Sequence, residues 1–298
     1  MKKAAQGLIR AAFGRHYEVE LLDGQYSGQL ITGFPRGKKS PYACGDRVAL
    51  EIASADQAQI TKNLPRTSLL YRSDAYREKL IAANATQVVL VVATEPSFTD
   101  ELLTRTLVAA EIEGLRTLIV LNKCDLTDQL EHARERLAVL GKLGYRIIEL
   151  SARNDASALW PHLAGEISVL VGQSGMGKST LTNALIPEAQ AATREISEAL
   201  DSGKHTTTHA RLYDLPQDKA PGGQLIDCPG LQEFGLSHLS FGQLEEGFID
   251  FRPHSGNCRF RDCRHQNEPD CAIKAAVAKG SIDARRYEQF QRIVSASC

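Results

Sequence analysis

The sequence predicts a chain of three parts: a small β-barrel over residues 1–65, a mainly parallel α/β domain over 66–238, and a mainly helical domain over 239–298. Three observations support this division. Short strand patterns separated by turns fill the first part, strand and helix patterns alternate in the second, and cysteines crowd together in the third. At 298 residues the chain is long enough for two or three domains.

The composition indicates a folded protein without a strong overall charge. Hydrophobic residues make up 43% and charged residues 24% of the chain, which favours a packed core over disorder. The formal net charge is −1, so any surface for nucleic acid would have to come from local clustering of basic residues.

Apolar runs and cysteine usage point to a cytoplasmic protein without a membrane anchor. The longest apolar runs, such as 88–93, have the length of strands and fall far short of the roughly 20 residues of a membrane-spanning helix. No secretion signal is visible at the start. The seven cysteines are an odd number, which argues against a disulfide framework and for a reducing compartment.

The first part is predicted as strands because its polar and apolar residues alternate between turn signals. Strands are expected over 16–22, 26–31 and 47–52, and no helical period of useful length precedes Leu69. Closely spaced short strands are typical of a small barrel.

The second part alternates between the two kinds of pattern, which predicts a mostly parallel sheet covered by helices. Strands are expected over 87–93, 117–121, 146–150, 167–171 and 224–226, and helices over 101–113, 128–143 and 178–186. Periodicity is poor between 188 and 223, where a mobile loop is expected. A helical tail is predicted over 284–294.

A phosphate-binding loop follows the strand at 167–171. The motif reads Gly172-Gln173-Ser174-Gly175-Met176-Gly177-Lys178-Ser179, and Thr180 continues it into the predicted helix. Glycines let backbone N–H groups surround a β-phosphate, Lys178 would lie between the β- and γ-phosphates, and the Ser179 hydroxyl would bind Mg²⁺. The alternative, a chance glycine turn, is disfavoured because both a strand and a helix flank the motif.

A second motif for the metal side of the site is Asp227-Cys228-Pro229-Gly230, which ends a predicted strand. Asp227 could reach Mg²⁺ through water, and the Gly230 N–H could hold a γ-phosphate. This motif is weak alone, but its distance after the phosphate loop makes it informative.

The segment Asn122-Lys123-Cys124-Asp125 follows the strand at 117–121 and predicts recognition of guanine. Guanine presents two adjacent donors, which one carboxylate such as that of Asp125 accepts together, whereas adenine has no such pair. The Lys123 stem would lie against the base, and Ser151-Ala152 would supply a backbone contact to the guanine O6. These motifs precede the phosphate loop, so the sequence predicts a circularly permuted nucleotide-binding sheet.

Four candidate metal-ligating residues lie within fourteen positions near the end of the chain. Cys258, Cys263, His265 and Cys271 have the spacing C-x4-C-x-H-x5-C. Three thiolates and one imidazole form a closed tetrahedral set that is typical of structural zinc. Coincidental thiols are the alternative, and an iron–sulfur or redox role is less favoured because there is no C-x-x-C.

The motifs and their order resemble those of the ribosome small-subunit-dependent GTPase A family, which consists of bacterial circularly permuted GTPases. The resemblance covers nearly the whole chain and includes Gly45-Asp46-Arg47-Val48, Leu64-Pro65-Arg66, Ile81-Ala82-Ala83-Asn84, Gly203-Lys204-His205-Thr206-Thr207-Thr208, the nucleotide motifs and the terminal Cys/His set. It implies an N-terminal OB-fold barrel, a permuted GTPase domain and a C-terminal zinc domain. It also implies GTP or GDP, Mg²⁺ and one Zn²⁺ per chain, and a monomer that binds the 30S subunit and its 16S rRNA during late maturation.

The position that carries a water-orienting glutamine in many GTPases is Leu231 here, so slow intrinsic hydrolysis and a need for an activating partner are expected. His205 could orient the attacking water, and Thr207 could close over Mg²⁺. The alternative is that His205 contacts RNA or solvent.

Two further functions stay open at this point. The protein could be a guanine-nucleotide switch that acts through a protein partner, or an RNA-binding protein whose nucleotide site is only structural. The second is disfavoured because the nucleotide motifs are intact. Around the metal ligands, Arg252, Arg259, Arg261 and Arg264 suit contacts with RNA phosphates, or they form a solvated charged face.

Overall fold

The computed structural model describes residues 4–37, 41–73, 78–187, 189, 209–228 and 236–297. Within these residues, no helix is both long enough and apolar enough to cross a membrane.

The N-terminal part is a closed five-stranded barrel, as the sequence predicts. Its strands are β1 (Ala4–Ala12), β2 (Tyr17–Leu21), β3 (Leu30–Pro35), β4 (Arg47–Ile52) and β5 (Gln57–Asn63). The order β1-β2-β3-β5-β4 closes through pairing of β4 with β1, and β3 and β5 are parallel. Alternate side chains of each strand, such as Val19 on β2, point inward and form one apolar cluster.

The central part is a parallel sheet with helices packed against it. After a separate two-stranded hairpin, β6 (Leu69–Ser73) and β7 (Glu78–Ala83), the strands are β8 (Gln87–Ala93), β9 (Arg116–Asn122), β10 (Arg146–Glu149), β11 (Ile167–Val171), β12 (Ala210–Asp214) and β13 (Gln224–Asp227). The strand order is β10-β9-β8-β11-β13-β12, with only β12 antiparallel to its neighbour in this set. The helices are α1 (Asp100–Ile112), α2 (Leu130–Lys142), α3 (Trp160–Leu163) and α4 (Lys178–Leu185). Because both faces are covered, every residue of β8 is buried.

The barrel and the parallel sheet are hydrogen-bonded into one sheet of eleven strands. β1 pairs with β12 through Ala11 opposite Arg211 and Ala12 opposite Ala210. The Arg10 guanidinium strengthens the junction because it binds both Glu20 of the barrel and Asp214 of β12. The strand after the phosphate loop is thereby fixed to the barrel.

A close approach between two backbone segments explains why residue 45 is a glycine. Gly45 has φ +89°, and a Cβ at this position would lie 2.3 Å from the carbonyl oxygen of Ala83. The Asn84 side chain donates to the Gly45 carbonyl at 2.9 Å. Asp46, fully buried, forms an ion pair with Arg66 at 2.6 Å.

The C-terminal part is mainly helical and has its own apolar cluster. Its helices are α5 (Phe241–Glu246), α6 (Ala272–Ala278) and α7 (Ala284–Ser297). Phe248, Phe251 and Phe290 are fully buried and pack ring against ring. Val108 of α1 belongs to the same cluster, so this part packs on the helix that begins beside the phosphate loop.

Two local predictions were wrong. Residues 26–31 were expected to continue a strand, but a 3₁₀ turn occupies Gly24–Tyr26 and the strand begins at Leu30. A loop was expected throughout 188–223, but β12 lies within it. β12 is a strand because β13 and β1 pair with it on its two sides, and neither contact is local in sequence.

Candidate functional site

The phosphate-loop motif connects β11 to α4, as the sequence predicts. Lys178, the first residue of α4, is buried, and its Nζ donates to the carbonyl oxygens of Gly172 at 2.6 Å and Gln173 at 2.8 Å. Burial lowers the pKa of the Lys178 ammonium, while the charge of Asp227 opposes that shift. The loop thus encloses a cation at the N-terminus of a helix, where an anionic phosphate is favoured.

Gly177 is required by its surroundings. It caps α4 with φ +91°, and a Cβ there would lie 2.3 Å from Nδ2 of Asn122. That side chain donates to the Met176 carbonyl at 2.9 Å and accepts from the Ala152 N–H at 2.9 Å. Asn122 therefore joins the phosphate loop to the segment that begins at Ser151.

The predicted base-recognition segment lies at the carboxyl end of β9. Lys123 has φ +61°, and its Nζ donates to the carbonyl oxygen of Glu95 at 2.6 Å. The Cys124 thiol is half-buried and contacts the Leu121 carbonyl, and burial raises its pKa. Asp125 is exposed, and a hydrogen bond from Ser151 lowers the pKa of its carboxyl group. An ionised, accessible carboxylate is what two adjacent guanine donors require.

These segments surround one cleft of about 360 Å³. The predicted nucleotide-binding residues that line it are Asn122, Lys123, Asp125, Ser151, Ala152, Ser174, Gly175, Gly177, Lys178, Ser179, Thr180 and Asp227. Four other predicted residues lie beside the lining and not in it, namely Cys124, Gly172, Gln173 and Met176. Two lining residues were missed by the sequence reasoning, namely Leu126 and Arg153, and Cys228 lines the cleft although the sequence reasoning gave this motif residue no role. Each directly follows a predicted motif residue, which is the signal that could have found it.

Asp227 ends β13 and lies opposite Leu170 on β11, which places it beside the phosphate loop. Its side chain is buried, and burial raises the pKa of its carboxyl group to about 6, although the nearby Lys178 charge opposes this shift. Ser179, exposed in the same cleft, supplies a hydroxyl group. One hydroxyl and one carboxylate are oxygen ligands of the kind that Mg²⁺ prefers, so the residues fit this ion.

The phosphate loop also binds the start of α1, a contact that the sequence did not indicate. The Gln173 side chain accepts from the Thr99 N–H at 3.0 Å and donates to the Thr99 hydroxyl at 2.9 Å. Thr99 is the N-cap of α1, and its hydroxyl accepts the Leu102 N–H. One hydroxyl therefore orders both a helix terminus and the loop.

His205, Thr207 and Gly230 lie outside the described residues, as does Leu231. The catalytic role of His205, the closing role of Thr207 and the phosphate contact of Gly230 stay predictions.

The four predicted metal ligands converge. One ligand atom from each of Cys258, Cys263, His265 and Cys271 lies within 4.8 Å of all the others. Nδ1 of His265 is 3.3 Å from Sγ of Cys271 and 3.6 Å from Sγ of Cys258, and these two sulfurs are 3.8 Å apart. A tetrahedral zinc ion with Zn–S bonds of about 2.3 Å needs ligand atoms about 3.8 Å apart. The set could hold one zinc ion.

The arginines near this set differ in their surroundings. Arg252 donates to the Glu246 carbonyl and to Glu111 of α1 at 2.8 Å, so it ties the C-terminal part to the central part. Arg259 pairs with Asp270 at 3.0 Å, and Arg264 lies over the Phe241 ring. Arg261 is exposed.

A strand, a glycine-rich loop and a helix that enclose a lysine, together with a base-recognition segment that precedes them in the chain, define a circularly permuted P-loop GTPase. The family model described as RsgA GTPase matches residues 63–237. The chain belongs to this family. It is therefore an enzyme that hydrolyses GTP to GDP and phosphate, and it uses Mg²⁺.

Relatives match along almost the entire chain. A protein of Ralstonia pickettii (strain 12J) called small ribosomal subunit biogenesis GTPase RsgA is 54% identical over 98% of this chain and 92% of its own length. A protein of the same name from Paraburkholderia xenovorans (strain LB400) is 54% identical over 97% of this chain and 92% of its own length.

Two solved structures share the fold. YjeQ from Thermotoga maritima is similar with a TM-score of 0.73 and 29% identity, over 99% of both chains. YloQ, described as a circularly permuted GTPase, is similar with a TM-score of 0.69 and 26% identity, over 99% of this chain and 95% of its own.

Proposed function

We propose that this GTPase binds the 30S ribosomal subunit through its 16S rRNA, acts in late maturation of that subunit, and hydrolyses GTP faster when bound to it. The observation that carries the proposal is the 54% identity, over 98% of this chain, to a relative called small ribosomal subunit biogenesis GTPase. The alternative is a guanine-nucleotide switch that acts through a protein partner.

In this proposal the nucleotide lies extended along the cleft, with its base at Asp125 and its phosphates at the phosphate loop. Asp125 accepts the guanine N1–H and the exocyclic amine, and Ser151-Ala152 contacts O6. The loop from Gly172 to Thr180 holds the phosphates with its N–H groups and with Lys178. Mg²⁺ supplies charge neutralisation for the phosphates, and Ser179 and Asp227 would hold it. The proximity of these residues in one cleft supports the assignment.

The hydrolytic step is proposed to depend on the partner. Leu231 cannot orient water, so turnover by the protein alone should be slow. His205 is the proposed water-orienting residue, and Thr207 is proposed to close over the magnesium ion. Both residues precede β12 in the sequence. β12 itself pairs with β1 of the barrel. An RNA that binds the barrel would therefore act on the strand that follows these two residues.

The domain boundaries at 65/66 and 238/239 are part of the proposal, as are a monomeric state and a cytoplasmic location. Three separate apolar clusters support the division. The C-terminal part is proposed to hold one structural zinc ion through Cys258, Cys263, His265 and Cys271. Of the nearby arginines, exposed Arg261 is best placed to contact rRNA phosphates, whereas Arg252 is engaged with Glu111.

The test is GTP turnover by the purified protein alone, with 30S subunits, and with 50S subunits. Stimulation by 30S alone, lost in Lys178→Ala and kept in Lys142→Ala, is expected. Lys142 is exposed at the end of α2, which makes it a matched control outside the cleft.

Salt dependence separates the two functions. Binding through rRNA phosphates should weaken steeply between 50 and 200 mM salt, by roughly tenfold or more for a few phosphate contacts. Absence of stimulation by 30S subunits, with GTP binding intact, would overturn the ribosomal proposal and favour the switch.

A further inference from the structure

The imidazole of His265 has two nitrogens in different surroundings. Nδ1 faces the sulfurs of Cys258 and Cys271, which places it in the metal-ligand set. Nε2 points away from that set, and its surface is buried without a hydrogen bond of ordinary length. Glu245 faces it, with Oε2 3.5 Å from Nε2. A buried N–H group that lacks an acceptor is costly, so this carboxylate oxygen is the acceptor to consider.

Glu245 is held in place for this contact. It lies on α5, which begins with a capping box formed by Ser240 and Gln243. Its second oxygen, Oε1, accepts a hydrogen bond from the Ser255 hydroxyl at 2.6 Å. Only 17% of the Glu245 side chain is exposed, so the carboxylate cannot turn freely into solvent.

The other contacts of His265 act on its ring plane or its backbone. The rings of Phe241 and Phe290 lie 5.7 and 6.0 Å from the imidazole. Tyr287 and Gln291 donate to the His265 carbonyl oxygen and fix the backbone, which has φ +60°. Among the described residues, Glu245 is thus the group positioned to determine which ring nitrogen of His265 carries the proton.

We propose that Glu245 is a positioning residue of the metal centre: it accepts the Nε2–H of His265, thereby presents Nδ1 to the metal, and ties α5 to the centre. Carboxylates and carbonyls that bind the far nitrogen of a ligating histidine fix its tautomer and orientation in many metal sites. The consequence here extends beyond the site, because α5 packs against α1 through Gly247, whose added Cβ would lie 2.7 Å from Val108. The proposal rests on zinc being the resident metal.

The test measures zinc affinity of the full chain by competition with a chelator at one pH. The zinc content of the wild-type protein is measured first and is expected to be one ion per chain. This measurement tests the presence of the metal independently of Glu245. Glu245→Ala should weaken zinc binding by about 10- to 100-fold. Glu245→Gln should stay within a few-fold of the wild type, since its amide oxygen can still accept. Glu246→Ala, which removes an exposed glutamate from the same helix, should change nothing.

A second measurement separates positioning from packing. Thermal unfolding of Glu245→Ala and Glu246→Ala is compared with and without zinc, and Co²⁺ spectra are recorded at saturating metal. We expect Glu245→Ala to lower the melting temperature of the zinc-loaded protein only, with a tetrahedral Co²⁺ spectrum retained because four ligands remain. Equal zinc affinity in the two alanine variants, or an equal loss of stability with and without zinc, would overturn the proposal. If Glu245→Ala does not fold, Glu245→Gln is compared with Glu245→Asp, whose shorter carboxylate cannot reach Nε2. Equally weak zinc binding by these two variants would also overturn the proposal.

Discussion

Asp227 and Lys178 occupy the same buried corner of the cleft, and their opposite charges are only partly balanced. The Lys178 ammonium is bound by two loop carbonyls, and the Asp227 carboxyl group has a pKa raised to about 6 by burial. A buried carboxylate with a raised pKa is unfavourable for folding when it is ionised. Such a group is retained where an incoming cation uses it, which is consistent with a magnesium ligand.

The stability of Asp227→Asn relative to the wild type should increase as the pH rises towards neutral in the nucleotide-free protein. The carboxyl pKa is about 6 in the folded protein and near its ordinary value of 3.8 in the unfolded chain. The folded state therefore binds more protons between these values, and stability falls as the pH rises through this window. Removing the carboxylate should therefore raise stability at pH 7.5 by about 2 kcal/mol relative to its effect at pH 4.5, since the unfolded carboxyl group is already mostly ionised at pH 4.5.

The measurement is urea unfolding of both proteins across that pH range, with Asp218→Asn as an exposed control. A difference between variant and wild type that does not change from pH 4.5 to 7.5 would contradict the assignment.

Asp125→Asn should exchange guanine for xanthine specificity. A carboxylate can accept from both adjacent donors of guanine, whereas an amide offers one donor and one acceptor, which suit the carbonyl and N–H of xanthine. Loss of a charged acceptor should weaken GDP binding by about 100-fold. Dissociation constants for GDP and xanthosine diphosphate check this, with exposed Asp128→Asn as control. Unchanged GDP binding by Asp125→Asn would remove Asp125 from the site.

At the scale of elements, α1 links the nucleotide cleft to the C-terminal part. Its N-cap Thr99 binds Gln173 of the phosphate loop, while Val108, two turns later, is buried among the C-terminal side chains. Glu111 near its end binds both Tyr145 and Arg252. One helix therefore contacts both the predicted phosphate loop and the part that holds the four predicted metal ligands.

Thr99→Val should destabilise the protein by about 1 kcal/mol because it removes an N-cap hydroxyl. Thr99→Ser keeps this hydroxyl and should lie within a few tenths of a kcal/mol of the wild type. Urea unfolding distinguishes them, and equal stability of the two variants would show that the hydroxyl has no such role.

For the whole molecule, the three apolar clusters are joined in different ways. The barrel is joined to the central sheet by strand pairing, which is continuous through β1 and β12. The C-terminal part has no strand in that sheet among the described residues, and it packs on the central part through side chains around buried Val108 and through the ion pair of Arg252 with Glu111. The stability of its helices should therefore depend more on the metal ligands than the stability of the barrel does.

Zinc removal should unfold the C-terminal part and leave the nucleotide cleft intact. Metal-binding free energy at such sites contributes directly to folding. The single tryptophan, Trp160, packs on the central cluster, so its fluorescence reports on that part alone. Chelation should lower the helical circular dichroism signal while Trp160 emission and GDP binding persist, and added zinc should restore the signal. An unchanged spectrum and unchanged protease resistance in metal-free protein would contradict this prediction.

The sequence by itself determined the motifs whose residues are adjacent in the chain. The phosphate loop at 172–179, the guanine segment at 122–125 and the ligand set from Cys258 to Cys271 were all readable because local backbone geometry and ligand chemistry constrain neighbouring residues. The strands of the parallel sheet were also predictable, since burial on both faces leaves continuous apolar runs.

Only the tertiary structure decided the contacts between distant residues. Arg10 meets Asp214 from 204 positions away, Thr99 meets Gln173, and β12 becomes a strand only between two partners. The raised pKa of Asp227 and the approach of Glu245 to His265 likewise depend on surrounding elements. The physical reason is that burial and long-range pairing are properties of the assembled chain, and no local pattern in the sequence encodes them.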